Sequence, residues 1–137
     1  MAKDKIHDAV KNALIKDGWT ITADPYKSKT PDLSLEADLA ADRPIAAERA
    51  GRKIVVEIKS FIGRSLITEF YIALGQYLTY EDLLQTIEPD RKLFLAVSDL
   101  VFNDFFQLDS IRRITQKDRM AILVVNTASE EVVQWIS

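Results

Sequence analysis

The chain has 137 residues, 47% of them hydrophobic and 28% charged, enough to bury a core at the common size of one domain, so a single domain over 1–137 is expected. It has no cysteine, which excludes disulfides and thiolate metal sites. Its apolar runs are far too short for a membrane span, and a cytoplasmic protein with no membrane contact is expected. The formal net charge of −3 lacks the basic excess of a dedicated duplex-DNA binder.

Ile6, Ala9, Val10, Ala13 and Leu14 fall at helical spacing and predict an amphipathic helix over 4–16, which Gly18 closes. Trp19-Thr20-Ile21-Thr22 alternates as a strand opens, Asp24-Pro25 breaks it, and 27–31 reads as loop. Residues 33–39 alternate apolar and polar, a strand, and 40–44 reads as a turn. The stretches 45–48 and 53–60 are then expected to form a hairpin around Arg49-Ala50-Gly51-Arg52. Ile54-Val55-Val56 is β-branched throughout, the mark of a buried central strand.

Ser65 is placed to cap a helix over 66–84, whose stripe runs through Leu66, Phe70, Ala73, Leu74, Tyr77, Tyr80 and Leu84. A buried strand over 92–97, a short helix near 100–106 and strands over 121–125 and 131–136 complete the chain. Strands and helices intermingle, so the class is α/β with a central mixed sheet flanked by helices.

The chemistry concentrates in the central strand. Glu57 and Lys59 are two residues apart, so both side chains leave the same sheet face as Val55, while Val56 and Ile58 point the other way. Charges in a Val/Ile strand are costly unless paired or bound to a metal. Glu48, across the expected hairpin, brings a second carboxylate towards Glu57 if the register allows it. Two carboxylates, with the Ile58 carbonyl as a further ligand, suit Mg²⁺, and a lysine suits stabilisation of a phosphodiester under attack. The competing reading is an ordinary Glu57–Lys59 salt bridge on a half-solvated strand. Arg43, Arg49, Arg52, Lys53, Lys59 and Arg64 form a local basic strip compatible with phosphate contact, or simply with a solvated hairpin. Gln76 and Tyr80, four apart on the next helix, share a face that can reach back over Glu57 and Lys59.

A strand bearing Glu-x-Lys followed by a helix bearing Gln-x-x-x-Tyr resembles the core of the RecB-like branch of the PD-(D/E)xK restriction-endonuclease-like superfamily. Over nearly its whole length the chain resembles the XisH family. The segments that carry this are Ala37-Asp38-Leu39-Ala40, Arg43 to Arg49, Gly51-Arg52-Lys53-Ile54, Val56 to Phe61, Ala73 to Tyr77, Glu88-Pro89-Asp90-Arg91 and Val133 to Ile136.

That resemblance implies an endonuclease-like fold. It also implies a role in controlled excision of the cyanobacterial fdxN element during heterocyst differentiation. The partners it implies are DNA, a site-specific recombinase and a second small factor, XisI. Carried over by residue, the superfamily's second carboxylate and lysine fall on Glu57 and Lys59. Its first acid falls on Glu48 by spacing, with Asp38, on the preceding strand, as the rival. Pro31-Asp32 lies in the expected loop and is read as coincidence. On the first helix Asp4 or Asp8 could support such a site, whereas His7 is expected to be solvated. Trp19, Trp135, Phe102, Phe105 and Phe106 are read as core or interface residues, and self-association is left open.

Overall fold

The computed structural model describes residues 5–45 and 48–137, and the side chains of all of these except 45 and 48–50. The elements, in chain order, are α1 (His7–Lys16), β1 (Thr20–Ala23), β2 (Tyr26–Lys29), β3 (Ser34–Ala37), β4 (Leu39–Ile45), β5 (Glu48–Ile58), α2 (Leu66–Ile87), β6 (Arg91–Ser98), α3 (Asp99–Asp104), α4 (Asp109–Lys117), β7 (Ile122–Asn126) and β8 (Glu131–Ile136). Six strands form one sheet in the order β1-β4-β5-β6-β7-β8, and β2 and β3 form a separate antiparallel pair. β5, β6 and β7 run parallel, while β1, β4 and β8 are antiparallel to their neighbours. The expected mixed α/β class is met, with helices on both faces.

Burial on both faces explains the unbroken Ile54-Val55-Val56 run. Val55 packs with Phe70, Ala73 and Tyr77 of α2 and with Phe105, Phe106 and Ile111 around α3 and α4. Ile54, Val56 and Ile58 pack with Val10, Ala13 and Leu14 of α1 and with Trp19. Edge-on ring contacts tie the first core together, among them Phe61–Phe106 at 5.4 Å. Phe94 and Trp135 do the same in the second, at 4.9 Å. Each such pair adds about 0.5–1.5 kcal/mol beyond its buried area. Ser65 caps α2 as expected, its hydroxyl accepting from Thr68 N at 3.3 Å. Among the described residues no helix is long and apolar enough to cross a membrane.

Four local expectations are corrected. The 27–31 loop contains β2, because Tyr26 to Lys29 pair with Ser34 to Ala37. The 40–44 turn is the body of β4, where Ala40 and Ala41 are buried against β1 and β5. The expected turn at 49–52 lies inside β5, since the hairpin closes at Ile45↔Glu48. There Gly51 (φ +66°) sits at a bulge, and a Cβ on it would collide with the Arg43 carbonyl and Pro44 Cα. Glycine marks a bulge as readily as a turn. Finally, α4 was not anticipated.

Candidate metal centre

The β4–β5 register pairs Leu39 with Val56. One step outward, Asp38 therefore enters β4 opposite Glu57, close to the end of β5. The Ile58 N–H donates to Asp38 Oδ2 at 2.7 Å, which holds the aspartate at the strand end. Glu57 leaves the α2 face of β5 and is only 7% exposed. Burial pushes its pKa well above the ordinary 4.5, and the adjoining Asp38 carboxyl pushes it further; the Lys59 charge and the Ile58 N–H pull it down by less. A buried carboxyl set against a second acid is driven towards its protonated form, and here that group is Glu57. Glu57 Oε2 is buried and finds no hydrogen-bond partner among the described residues, a rare state for a buried oxygen.

Of the two candidate first acids, the structure brings Asp38 to Glu57 and leaves Glu48 remote. Glu48 and Glu57 are the first and tenth residues of the same strand, β5, about 30 Å apart at strand rise. No side chain spans that distance. The hairpin closes ahead of Glu48 rather than after it, so spacing in sequence did not become proximity. Asp32, in an exposed turn, accepts from the Thr30 hydroxyl at 2.8 Å and takes no part.

Ile58 remains available as a backbone donor. The Lys59 N–H donates to the Ala96 carbonyl of β6 at 3.0 Å. The Ile58 carbonyl of that same trans peptide therefore faces the opposite side, where Asp38 lies. Lys59 is half-buried and near enough for its charge to act on Glu57. From α2, Gln76 and Tyr80 lean over the same ground as the spacing predicted. The Tyr80 pKa is raised by burial and by the Glu57 and Asp38 charges, while the Gln76 amide and the Glu36 backbone lie against its hydroxyl. Gln76 Oε1 is another buried oxygen without a hydrogen-bond partner among the described residues.

Sequence reasoning missed His7. It is buried, 3% exposed, and its Nε2 lies 2.9 Å from Asp24 Oδ1. Burial acts to raise the Asp24 pKa, but the Lys11 ammonium at 2.7 Å and the His7 ring hold it below its ordinary value. Asp24 is therefore an acceptor, and Nε2 is the donor. That leaves Nδ1, which is buried without a hydrogen-bond partner among the described residues and 3.9 Å from Asp38 Oδ1. A carboxylate that fixes one imidazole nitrogen and frees the other is the arrangement found behind metal-binding histidines. His7 joins Val10 and Leu14 at i, i+3 and i+7, so the stripe itself held the signal. Asp8 is exposed, and Asp4 lies outside the described residues.

These donors fit a hard divalent cation. A cation would displace the proton that burial favours on Glu57, and Glu57 Oε2 and His7 Nδ1 are buried polar atoms without hydrogen-bond partners among the described residues. Among the described residues no three His, Asp or Glu side chains stand close enough to form a complete cage. The residues that would hold a cation are the acid pair and the Ile58 carbonyl, with water completing the shell. The basic strip is divided: Lys59 stays beside Glu57, whereas Arg43, Arg52 and Lys53 join Lys92 in lining a cleft of about 750 Å³ over Trp19, Phe94 and Trp135, which holds neither Asp38 nor Glu57, and the Arg49 side chain lies outside the described residues. The chemistry of the buried acids, rather than concavity, identifies the site.

A family model described as XisH protein matches residues 1–133. Among solved structures, the chain is similar to an XisH family protein from Nostoc punctiforme PCC 73102. The two are 38% identical over 98% of this chain and 100% of that one, with a TM-score of 0.89. It is also similar to an fdxN element excision controlling factor protein from Anabaena variabilis, at 42% identity over 96% and 98% of the two chains, with a TM-score of 0.87. No curated protein matches.

Proposed function

This chain belongs to the XisH family, and from that premise we propose that it controls excision of an fdxN-type DNA element through a divalent-cation site of the endonuclease type. The observation that carries the reading is the Asp38–Glu57 pair: two abutting carboxyls, one with a buried unpartnered oxygen, and a lysine two residues on. We assign the site to the PD-(D/E)xK type on the order Asp38, Glu57, Lys59, Gln76, Tyr80.

In this reading Asp38, Glu57 and the Ile58 carbonyl hold the cation, with His7 Nδ1 at the edge of its shell. Mg²⁺ there would supply a more acidic water and offset charge on a phosphodiester. Lys59 faces the same ground and stabilises negative charge that builds on the phosphate. Gln76 and Tyr80 border the site from α2 and orient the strand being attacked. By extension from the family resemblance, the partners are DNA, a site-specific recombinase and an XisI-like factor, and the setting is heterocyst differentiation.

Purified protein is expected to nick supercoiled DNA with Mg²⁺ or Mn²⁺. Asp38→Ala and Glu57→Ala should abolish nicking, and Glu48→Ala should retain it. Undiminished cleavage by the Glu57 variant removes the reading. A second reading is a regulator that uses the same scaffold to hold its partners without cutting, favoured by the net charge of −3 and the incomplete cage. It requires excision to survive Lys59→Ala.

A further inference from the structure

Helix α2 is apolar nearly all the way round, a pattern that belongs to helices covered on every side. Among the described residues it is covered along the row Phe70, Ala73, Tyr77 and Leu84 and, on the flank that carries Gln76 and Tyr80, at Leu83. About 100° round the helix from that row, Ile67 (40% exposed), Tyr71 (64%) and Leu78 (43%) face outward, with partly buried Leu74 between them. Their spacing of four, three and four residues is that of a coiled-coil seam. Gln76 and Tyr80 lie on the other flank, so a helix docked on the seam leaves the acid site open.

We propose that this seam binds α2 of a second copy of the chain, antiparallel, about a two-fold axis between Ile72 and Ala73. In a two-fold contact, if residue i meets j then j meets i. About this axis Ile67 meets Leu78 of the second copy, and Tyr71 meets Leu74. One layer further out, exposed Arg64, just ahead of the Ser65 cap, meets half-buried Glu81 of the second copy, whose carboxylate also accepts from the Tyr77 hydroxyl of its own helix at 3.4 Å. The charges choose the occupant and its direction. Parallel pairing would stack Arg64 on Arg64 and Glu81 on Glu81, whereas the antiparallel pair neutralises both ends.

Gly75 adds an independent observation. A glycine in mid-helix costs about 1 kcal/mol relative to alanine. Nothing among the described residues asks for one here, because a Cβ would meet none of their atoms within 4 Å. In the antiparallel pair this position falls beside Tyr71 of the second copy, whose ring needs the space.

The test is sedimentation velocity on the full chain over about a hundredfold range of concentration. Wild type should pass from monomer to dimer. Gly75→Arg, which enters open space and improves helix propensity, should fold as wild type does by circular dichroism and stay monomeric. Arg64→Glu and Glu81→Arg should each weaken the dimer roughly tenfold, and the double reversal should restore it. A wild type that is monomeric throughout overturns the proposal, including the case where the seam takes a different protein. So does a Gly75→Arg dimer, or a double reversal no stronger than the single changes. Nicking and self-association are read separately, so either conclusion can fail alone.

Discussion

Glu57 lies on the same strand face as Val55, opposite Leu95 in register and near Tyr80, where a carboxylate without a cation is a liability. Its pKa in the folded chain lies above the ordinary 4.5 because of burial and the Asp38 carboxyl. The folded form therefore keeps a proton that the unfolded chain gives up. Stability conferred by that proton is lost as pH climbs from 4.5 towards the raised folded value. Glu57→Gln removes this dependence. In EDTA its melting temperature should match wild type near about pH 4 and exceed it increasingly up to about pH 8. Mg²⁺ should raise the melting temperature of wild type and leave the variant unmoved. A variant less stable than wild type at every pH would sink this account of the buried acid. The identity of Glu57 and Lys59 as a pair was legible from alternation alone. The partner acid was not, because Glu48 and Asp38 differ only in where the hairpin closes.

At the scale of elements, β5 is extended past the point where sequence placed a turn, and Gly51 makes this possible. Its positive φ and the approach of the Arg43 carbonyl and Pro44 exclude any side chain. Gly51→Ala should lose about 1–3 kcal/mol in urea denaturation. The hairpin tip lies far from Asp38 and Glu57, so any nicking should be affected much less than stability. Helix α2 was legible almost to its ends because its stripe, its Ser65 cap and Pro89 agree. In β4 the Ala40-Ala41 pair looked too weak for a strand, and only pairing with both β1 and β5 makes it one.

Across the whole molecule, Arg91 joins parts that are distant in sequence. Its side chain, 10% exposed, donates to Asp42 Oδ1 of β4 at 2.8 Å and to Glu88 Oε2 at 2.8 Å. It also reaches the Ile54 carbonyl of β5 at 3.2 Å and lies over the Tyr26 ring of β2. The Tyr26 hydroxyl donates to Glu88 Oε1 at 2.7 Å, so the small β2–β3 sheet, which leads into Asp38, is fastened through this cluster. Arg91→Met should cost about 2 kcal/mol, because Asp42 and Glu88 keep part of their hydration. It should also speed amide hydrogen exchange across 26–37 beyond that of the α2 core; uniform exchange would mean that the clamp is not local.

The sequence by itself determined the class, the central buried strand, the long helix, and the same-face placement of Glu57 with Lys59 and of Gln76 with Tyr80. All of these are periodicities, set by the two-residue and 3.6-residue repeats of the backbone. Tertiary structure alone decided that Asp38 and not Glu48 meets Glu57, and that His7 is buried against Asp24. Both depend on strand register and on where a helix end docks, and register is a relation between segments that neither carries within itself.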